Sequence, residues 1–215
     1  MSDKKKHYLP HVYWVGRNLA TENLVPGESV YGERLVGNLR LWDPRRSKLC
    51  SALLKNMKIP LNEDTSVLYL GVASGTTASH MSDIVREGFI FGVDFAPRTM
   101  RDFYFLCRKR KNMAPIFANA NIPEDYAFVP KVDFIYQDVA QPNQADILVR
   151  NARFFLKSKG HALFMVKARS IDVTSRPQDV YQSVISKLKA EGLEVIAQKN
   201  LEPFEKDHLA ILLKF

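Results

Sequence analysis

Cysteine is scarce in this chain: two residues in 215, Cys50 and Cys107. Two thiols cannot build a disulfide framework or a cysteine-based metal site, which excludes stapled secreted scaffolds and zinc modules. Both fall in apolar or helical contexts, so they read as inert, buried thiols of a reducing, intracellular compartment. Long apolar runs are also missing. No stretch of about 18 apolar residues occurs, so neither a transmembrane helix nor a membrane partner is expected. Lys4, Lys5 and Lys6 are not followed by an apolar segment, which argues against a signal peptide. The five histidines are scattered, and no metal is expected. Low-complexity tracts and internal repeats are absent, which leaves out disordered tails and solenoids.

What remains is an ordinary globular balance, with 46% hydrophobic and 25% charged residues. The length suits one large domain, or one domain with a small appendage. The formal net charge of +8 favours a polyanionic partner over a small anionic substrate alone.

The first part of the chain differs from the rest. His11-Val12-Tyr13-Trp14-Val15 alternates as a short strand does, and Pro26-Gly27-Glu28 and Tyr31-Gly32-Glu33 are turn signals. These predict a small β-rich unit of hairpins, closed by Asp43-Pro44. A helix over residues 46–56 with Leu49, Ala52 and Leu53 on one side links it onward. The boundary is placed between residues 55 and 56. From residue 65 strands and helices alternate. Strands are expected at 66–70, 89–94, 114–118, 132–136 and 161–167, and helices at 78–85, 97–112, 142–157 and 177–190. Strands at 193–199 and 209–215 end the chain with no helix between them. The pattern predicts an α/β fold: a doubly wound, mostly parallel sheet with one antiparallel edge hairpin, and ligand at the carboxyl ends of its strands.

Gly71-Val72-Ala73-Ser74-Gly75-Thr76-Thr77 joins the first of these strands to its helix. Glycines let backbone approach a ligand, and small hydroxyl residues add donors at a helix N-terminus. Asp94 follows Gly75 by 19 positions, at the end of the second strand, where an acid accepts from ribose hydroxyls. The spacing fits any nucleoside-type cofactor. It lacks the third glycine of G-x-G-x-x-G, which disfavours a pyrophosphate-bearing dinucleotide. S-adenosylmethionine carries no phosphate and tolerates that lack.

Several runs resemble the fibrillarin family, collinearly and over nearly the whole chain: Trp42 to Leu49 (WDPRRSKL), Tyr69 to Ser82 (YLGVASGTTASHMS), Val93 to Arg98 (VDFAPR), Tyr136 to Pro142 (YQDVAQP), Val166 to Val173 (VKARSIDV) and Leu201 to His208 (LEPFEKDH). The arginine-glycine-rich extension of eukaryotic members is absent, so the likeness is to the short archaeal form. The resemblance implies a Rossmann-like methyltransferase sheet, S-adenosyl-L-methionine as cofactor, and methylation of ribose 2′-hydroxyls of rRNA, and of tRNA, in the cytoplasm. It implies three partners: a Nop5-type scaffold protein, a box C/D guide RNA and an L7Ae-type kink-turn protein.

Carried over by position, the cofactor site comprises Gly71, Ala73, Thr76, Thr77, Asp94, Phe95, Asn119, Ala120, Asp138, Val139, Ala140 and Gln141. The family usually has Glu at the position of Asp94 and Asp at that of Asn119. The second departure removes a carboxylate acceptor, so weakened cofactor binding is expected. Lys48, Asp138, Lys167 and His208 fall on the catalytic positions. A ribose hydroxyl is a poor nucleophile, so the site must orient it and stabilise developing alkoxide character. Asp138 and Lys167 end adjacent strands, and Asp138 is expected to hold Lys167 over the cofactor. Arg45 and Arg169 adjoin the site and are expected to contact RNA phosphate. Arg40 is grouped with Arg45 as a basic surface. Arg108-Lys109-Arg110-Lys111 reads as a solvated helix end. Two other functions fit the fold: a dinucleotide oxidoreductase, which the missing glycine disfavours, and a silent RNA-binding subunit, which the intact Lys167 and Asp138 disfavour.

Overall fold

The computed structural model describes residues 4–215; the first three residues of the expected N-terminal unit lie outside it. Five short strands come first: β1 (Lys4–Lys6), β2 (Val12–Val15), β3 (Asn18–Glu22), β4 (Leu35–Val36) and β5 (Leu39–Trp42). They form an antiparallel sheet in the order β1-β2-β3-β5-β4. A two-turn helix α1 (Lys48–Leu54) leads away from it, capped by the Ser47 side chain. There follow β6 (Ser66–Leu70), α2 (Thr76–Ile84), β7 (Phe89–Asp94), α3 (Pro97–Lys109), β8 (Met113–Phe117), β9 (Val132–Gln137), α4 (Gln144–Phe155), β10 (Leu156–Lys167), the single turn α5 (Ala168–Ile171), α6 (Pro177–Ala190), β11 (Glu194–Asn200) and β12 (His208–Lys214).

The second sheet has seven strands in the order β11-β12-β10-β9-β6-β7-β8. Strands β8, β7, β6, β9 and β10 pair in parallel, and β12 is antiparallel to both neighbours. The expected edge hairpin is there, with the last strand inserted on its inner side. Two apolar clusters cover the two faces. One gathers Tyr69, Tyr136, Met165 and Leu212 with Leu49, Met81 and Phe103 of the helices, and also takes in Leu9, Val12, Leu19 and Trp42 of the N-terminal sheet. The other gathers Leu68, Ile135 and Phe164 with Leu148, Phe155 and Tyr181. Each such side chain, fully buried, contributes about 1.5–3 kcal/mol.

One difference from the expected elements has a clear cause. Helix α3 ends at Lys109 instead of running to residue 112, because Arg110 leaves the helix in extended conformation. Its guanidinium turns inward to Asp83 Oδ1 at 2.6 Å. The run 108–111 is therefore no solvated helix end throughout: Arg110 is buried. Arg40 is likewise withdrawn from the surface, with Nη1 2.8 Å from Asp83 Oδ2 and Nε 2.6 Å from Glu33 Oε1. The strand expected at 161–167 begins at Leu156, directly after α4, with an irregularity in its pairing before His161.

Asp83 also accepts from Thr21 Oγ1 at 2.6 Å and from the Leu24 amide at 2.9 Å. One carboxylate of α2 thus holds two buried guanidiniums and fastens the N-terminal sheet. Removing it strands charge inside the protein, a loss of about 3–5 kcal/mol for a broken buried pair. Asp83→Ala is expected to lower the unfolding free energy by that amount in a urea titration. A loss below about 1 kcal/mol, the scale of an exposed pair, would show that the network carries little of the stability.

Candidate active site

The loop after β6 is shaped by its neighbour. Gly71 has φ of +80°, and a Cβ there would lie 2.6 Å from the carbonyl oxygen of Asp138. Only glycine fits. The amide of Asp138 donates to Leu70 O at 2.9 Å, so the ends of β6 and β9 are locked together. Gly75, at φ +87°, caps α2 and lies against Phe103 and Leu106.

Beside this junction a cleft of about 260 Å³ opens between the ends of β6, β7, β8 and β9. Ten of the twelve residues expected to hold the cofactor line it: Gly71, Ala73, Asp94, Phe95, Asn119, Ala120, Asp138, Val139, Ala140 and Gln141. Asp94 accepts from the amides of Ala73 and Ala96, one per carboxylate oxygen, both at 2.9 Å. Each oxygen keeps further acceptor capacity, which suits a ribose diol. Phe95 is 54% exposed at the rim and presents a flat apolar face that suits a purine. Asn119 Oδ1 accepts from the Asn121 amide at 3.0 Å and its side chain at 3.2 Å, so its oxygen is spent within the loop. These donors, acceptors and apolar walls fit an uncharged-ribose nucleoside; no phosphate cradle is needed.

Thr76 and Thr77 do not line the cleft. The first turn of α2 carries their side chains behind the loop. Thr76 faces a second cavity of about 360 Å³, with Ser74, Tyr31 and Phe105. Thr77 is buried, and its hydroxyl donates to Ser47 Oγ at 3.0 Å.

Adjacent to the cleft, Lys48 Nζ lies 2.9 Å from Asp138 Oδ2. Asp138 is therefore held by Lys48, not by Lys167 as the strand ends alone suggested. The reason is α1, which lies over the same sheet face as Tyr136 and delivers Lys48 from its first turn. Burial disfavours the Lys48 ammonium, but the Asp138 charge and hydrogen bond outweigh it and raise the lysine above its ordinary value. Lys167 stands opposite His208 in the β10–β12 register. Gln144 holds the Lys167 backbone at both ends, accepting from its amide at 3.0 Å and donating to its carbonyl at 3.3 Å. The Lys167 side chain has no hydrogen-bond or ion-pair partner among the described residues.

His208 is buried, and its Nδ1 lies 2.6 Å from the Lys206 carbonyl. A carbonyl only accepts, so Nδ1 carries the proton. Burial first, and then the Lys48 charge, push the imidazole below its usual value. Nε2 keeps its lone pair, buried and without a partner. Of the two arginines expected at RNA, Arg45 is exposed. Arg169 is committed elsewhere, with Nε 3.1 Å from Asp207 and Nη1 donating to Val173 O at 2.7 Å. Sequence reading gave no role to Ser47, Gln144 or Glu205. Ser47 directly before a helix is an N-cap signal; Gln144 carried none. Glu205 acts on both Lys48 and His208 through its charge.

Residues 3–215 match the fibrillarin family. The chain belongs to the fibrillarin family. It is 49% identical to the fibrillarin-like rRNA/tRNA 2′-O-methyltransferase of Thermococcus sibiricus, over 98% of each chain. Among solved structures, the fibrillarin of Aeropyrum pernix, crystallised with natively bound S-adenosyl-L-methionine, is 48% identical with a TM-score of 0.88, over 98% of this chain and 97% of that one. The structure of a fibrillarin/Nop5p complex is similar at 42% identity and a TM-score of 0.93, over 98% of this chain and 100% of that one. Fibrillarin membership accounts for the seven-stranded sheet and for the separate N-terminal sheet together.

The geometry of His208 gives a prediction. Its ring is expected to be neutral and Nδ1-protonated at pH 7, and to titrate below the ordinary 6.5 when followed by nitrogen-15 NMR. The unfolded chain takes that proton more readily, so the histidine's contribution to stability is intact above pH 6.5 and falls as the pH drops through the region below it. A midpoint at or above 6.5, or an Nε2-protonated ring, would contradict the buried environment described.

Proposed function

We propose that the chain transfers the methyl group of S-adenosyl-L-methionine to ribose 2′-hydroxyls of rRNA and tRNA, as the catalytic subunit of a box C/D guide ribonucleoprotein in the cytoplasm. The observation that carries this is the Lys48–Asp138 ion pair, with Lys167 and His208 beside it, at the mouth of a cleft built for a nucleoside. The names of close relatives support the activity and the cofactor, and the fibrillarin/Nop5p complex supports a Nop5-type scaffold. The guide RNA and an L7Ae-type kink-turn protein are the rest of the assembly in this reading. Residues 1–55 would form its β-rich unit and residues 56–215 its methyltransferase unit.

When bound, the cofactor supplies an electrophilic methyl group on a sulfonium. The chain's own residues do the rest. Asp94 takes the ribose hydroxyls, Phe95 and Ala120 flank the base, and Asp138 to Gln141 border the far end of the cleft. Lys167, with its side chain unengaged, orients the 2′-hydroxyl and stabilises the charge that grows on its oxygen. Lys48 adds a second positive charge and fixes Asp138. The proton leaves the hydroxyl for Asp138 or for the free Nε2 of His208, which share it as coupled groups. Arg45 contacts the RNA backbone; the bonds of Arg169 to Asp207 and Val173 make it a weaker candidate.

Two outcomes test this. Asp94→Ala is expected to weaken S-adenosylmethionine binding by about 1.5–3 kcal/mol, the scale of charge-assisted hydrogen bonds. Calorimetry reads this directly, and unchanged affinity in a folded variant would remove Asp94 from the site. Lys167→Ala is expected to lower the single-turnover rate about 100-fold in the assembled complex, with far less effect on cofactor affinity. Wild-type turnover in that variant would return Lys167 to a surface side chain. A complex of the wild-type chain that binds cofactor and RNA but transfers no methyl group would favour the silent-subunit alternative.

A further inference from the structure

We propose that Gln144 is a positioning residue for Lys167 and ties it to the loop at the far end of the cleft. The inference rests on the reading of Lys167 as the group that orients the ribose hydroxyl. The Lys167 side chain has no hydrogen-bond or ion-pair partner among the described residues, so its ammonium is placed through its backbone. That backbone has lost one of its two strand neighbours. Strand β9 pairs with β10 only as far as Gln137 opposite Phe164, so Met165, Val166 and Lys167 run past it. On the other side β12 accompanies them as far as His208. The amide and carbonyl of one strand residue face the same neighbour, and backbone groups inside a protein need partners. For Lys167 both are met by Gln144.

Gln144 supplies what a further residue of β9 would have supplied. Its carboxamide resembles a peptide group, with an acceptor oxygen and a donor nitrogen side by side. Oε1 accepts from the Lys167 amide at 3.0 Å, and Nε2 donates to the Lys167 carbonyl at 3.3 Å. Nε2 also donates to the Gln141 carbonyl at 3.0 Å, and Gln141 lines the cofactor cleft. Both amide hydrogens are therefore used, in a residue that is 0% exposed. Gln144 is itself held in place. It is the first residue of α4, and its carbonyl accepts at 2.6 Å from the side-chain amide of Gln137, the residue before Asp138. One buried side chain thus joins the end of β9, the cleft loop and the end of β10. A glutamine that served only to start a helix would have no need to spend every donor on Gln141 and Lys167.

The test is a double-mutant cycle between Gln144→Met, which keeps nearly the same length and loses the amide, and Lys167→Ala. Three quantities are read: the single-turnover methylation rate at saturating cofactor in the assembled complex, the S-adenosylmethionine dissociation constant, and the melting temperature. Gln144→Met alone is expected to slow the single turnover about 10-fold, within the range for a misplaced catalytic group, and to leave the dissociation constant within about threefold. In the Lys167→Ala background the same change is expected to slow turnover by less than about twofold, because a residue that acts through Lys167 has nothing left to position. An unchanged rate in Gln144→Met, whatever its melting temperature, overturns the proposal. So does a loss of about 10-fold that persists without the lysine, which would show that Gln144 acts on another group. A raised dissociation constant with a normal rate at saturation also overturns it, and would make Gln144 a support of the cofactor loop alone. Should Gln144→Met fail to fold, Gln144→Asn keeps the amide but shortens its reach by one methylene, and the same cycle decides. A wild-type complex without any methyl transfer, or wild-type turnover in Lys167→Ala, would instead defeat the proposed function, and this inference with it.

Discussion

Asp138 sits where the two halves of the site meet. Its amide is bonded to the end of β6, and its carbonyl occupies the space where residue 71 would carry a side chain. Its carboxylate holds Lys48. Parallel neighbours β6 and β9 therefore fix the cleft loop and the ion pair with one peptide. The glycine at 71 is the cost of that closeness, since any Cβ would force the strand ends apart. Because Asp138 borders the cleft and faces Lys48, whatever occupies the cleft is placed next to the charges that would act on a hydroxyl brought to it.

The chain contains two buried polar centres with opposite character. Around Asp83 the carboxylate meets Arg40, Arg110, Thr21 and the Leu24 amide, and every partner is engaged. His80, buried beside them, is pushed well below its usual value by burial and by the two guanidiniums, and as a neutral ring it bridges Thr21 and Tyr31. Such a network fixes one arrangement and leaves nothing for a ligand. Around Asp138 the accounting is incomplete. Among the described residues His208 Nε2 is buried without a partner, and the Lys167 side chain is unengaged. Unspent donors and acceptors at a cleft are what chemistry on an incoming hydroxyl requires, and a satisfied fold would have no reason to keep them.

The strand ends were legible because hydrophobic runs closed by Gly71, Asp94 and Asp138 leave few alternatives for a parallel sheet. The cleft residues followed from those ends and from the family motif, since each lies on a loop whose direction the strand dictates. Side-chain direction on helices was not legible. Thr76 and Thr77 belong to the same motif as Ala73, yet the Thr76 side chain lines the neighbouring cavity and the Thr77 hydroxyl meets Ser47. The partner of Asp138 was missed for a related reason: Lys48 is 90 positions away in sequence, and only the packing of α1 brings it near. Arg110 shows the converse. Within a run of four cations nothing marks the one that ends the helix and turns inward, because its carboxylate lies on another element.

Burial also changes what the positive charge can do. Lys and Arg exceed Asp and Glu enough to give +8, which on its own suggests a basic RNA platform. Arg40 and Arg110 are inside the protein. Lys109, Arg153, Lys157, Arg169, Arg176 and Lys187 each face a carboxylate on the surface. Arg46 lies over the Tyr31 ring, 5.0 Å from its centroid. Near the site, that leaves Arg45, Arg98 and Lys167 without a carboxylate partner among the described residues, few cations for phosphate contact. Few contacts mean little counterion release, and hence weak binding with only a shallow dependence on salt. None of these contacts reads a base edge, so they position RNA without selecting it. A site that places a ribose hydroxyl well but grips RNA weakly needs its target presented, and selection must then reside in whatever holds the RNA against it.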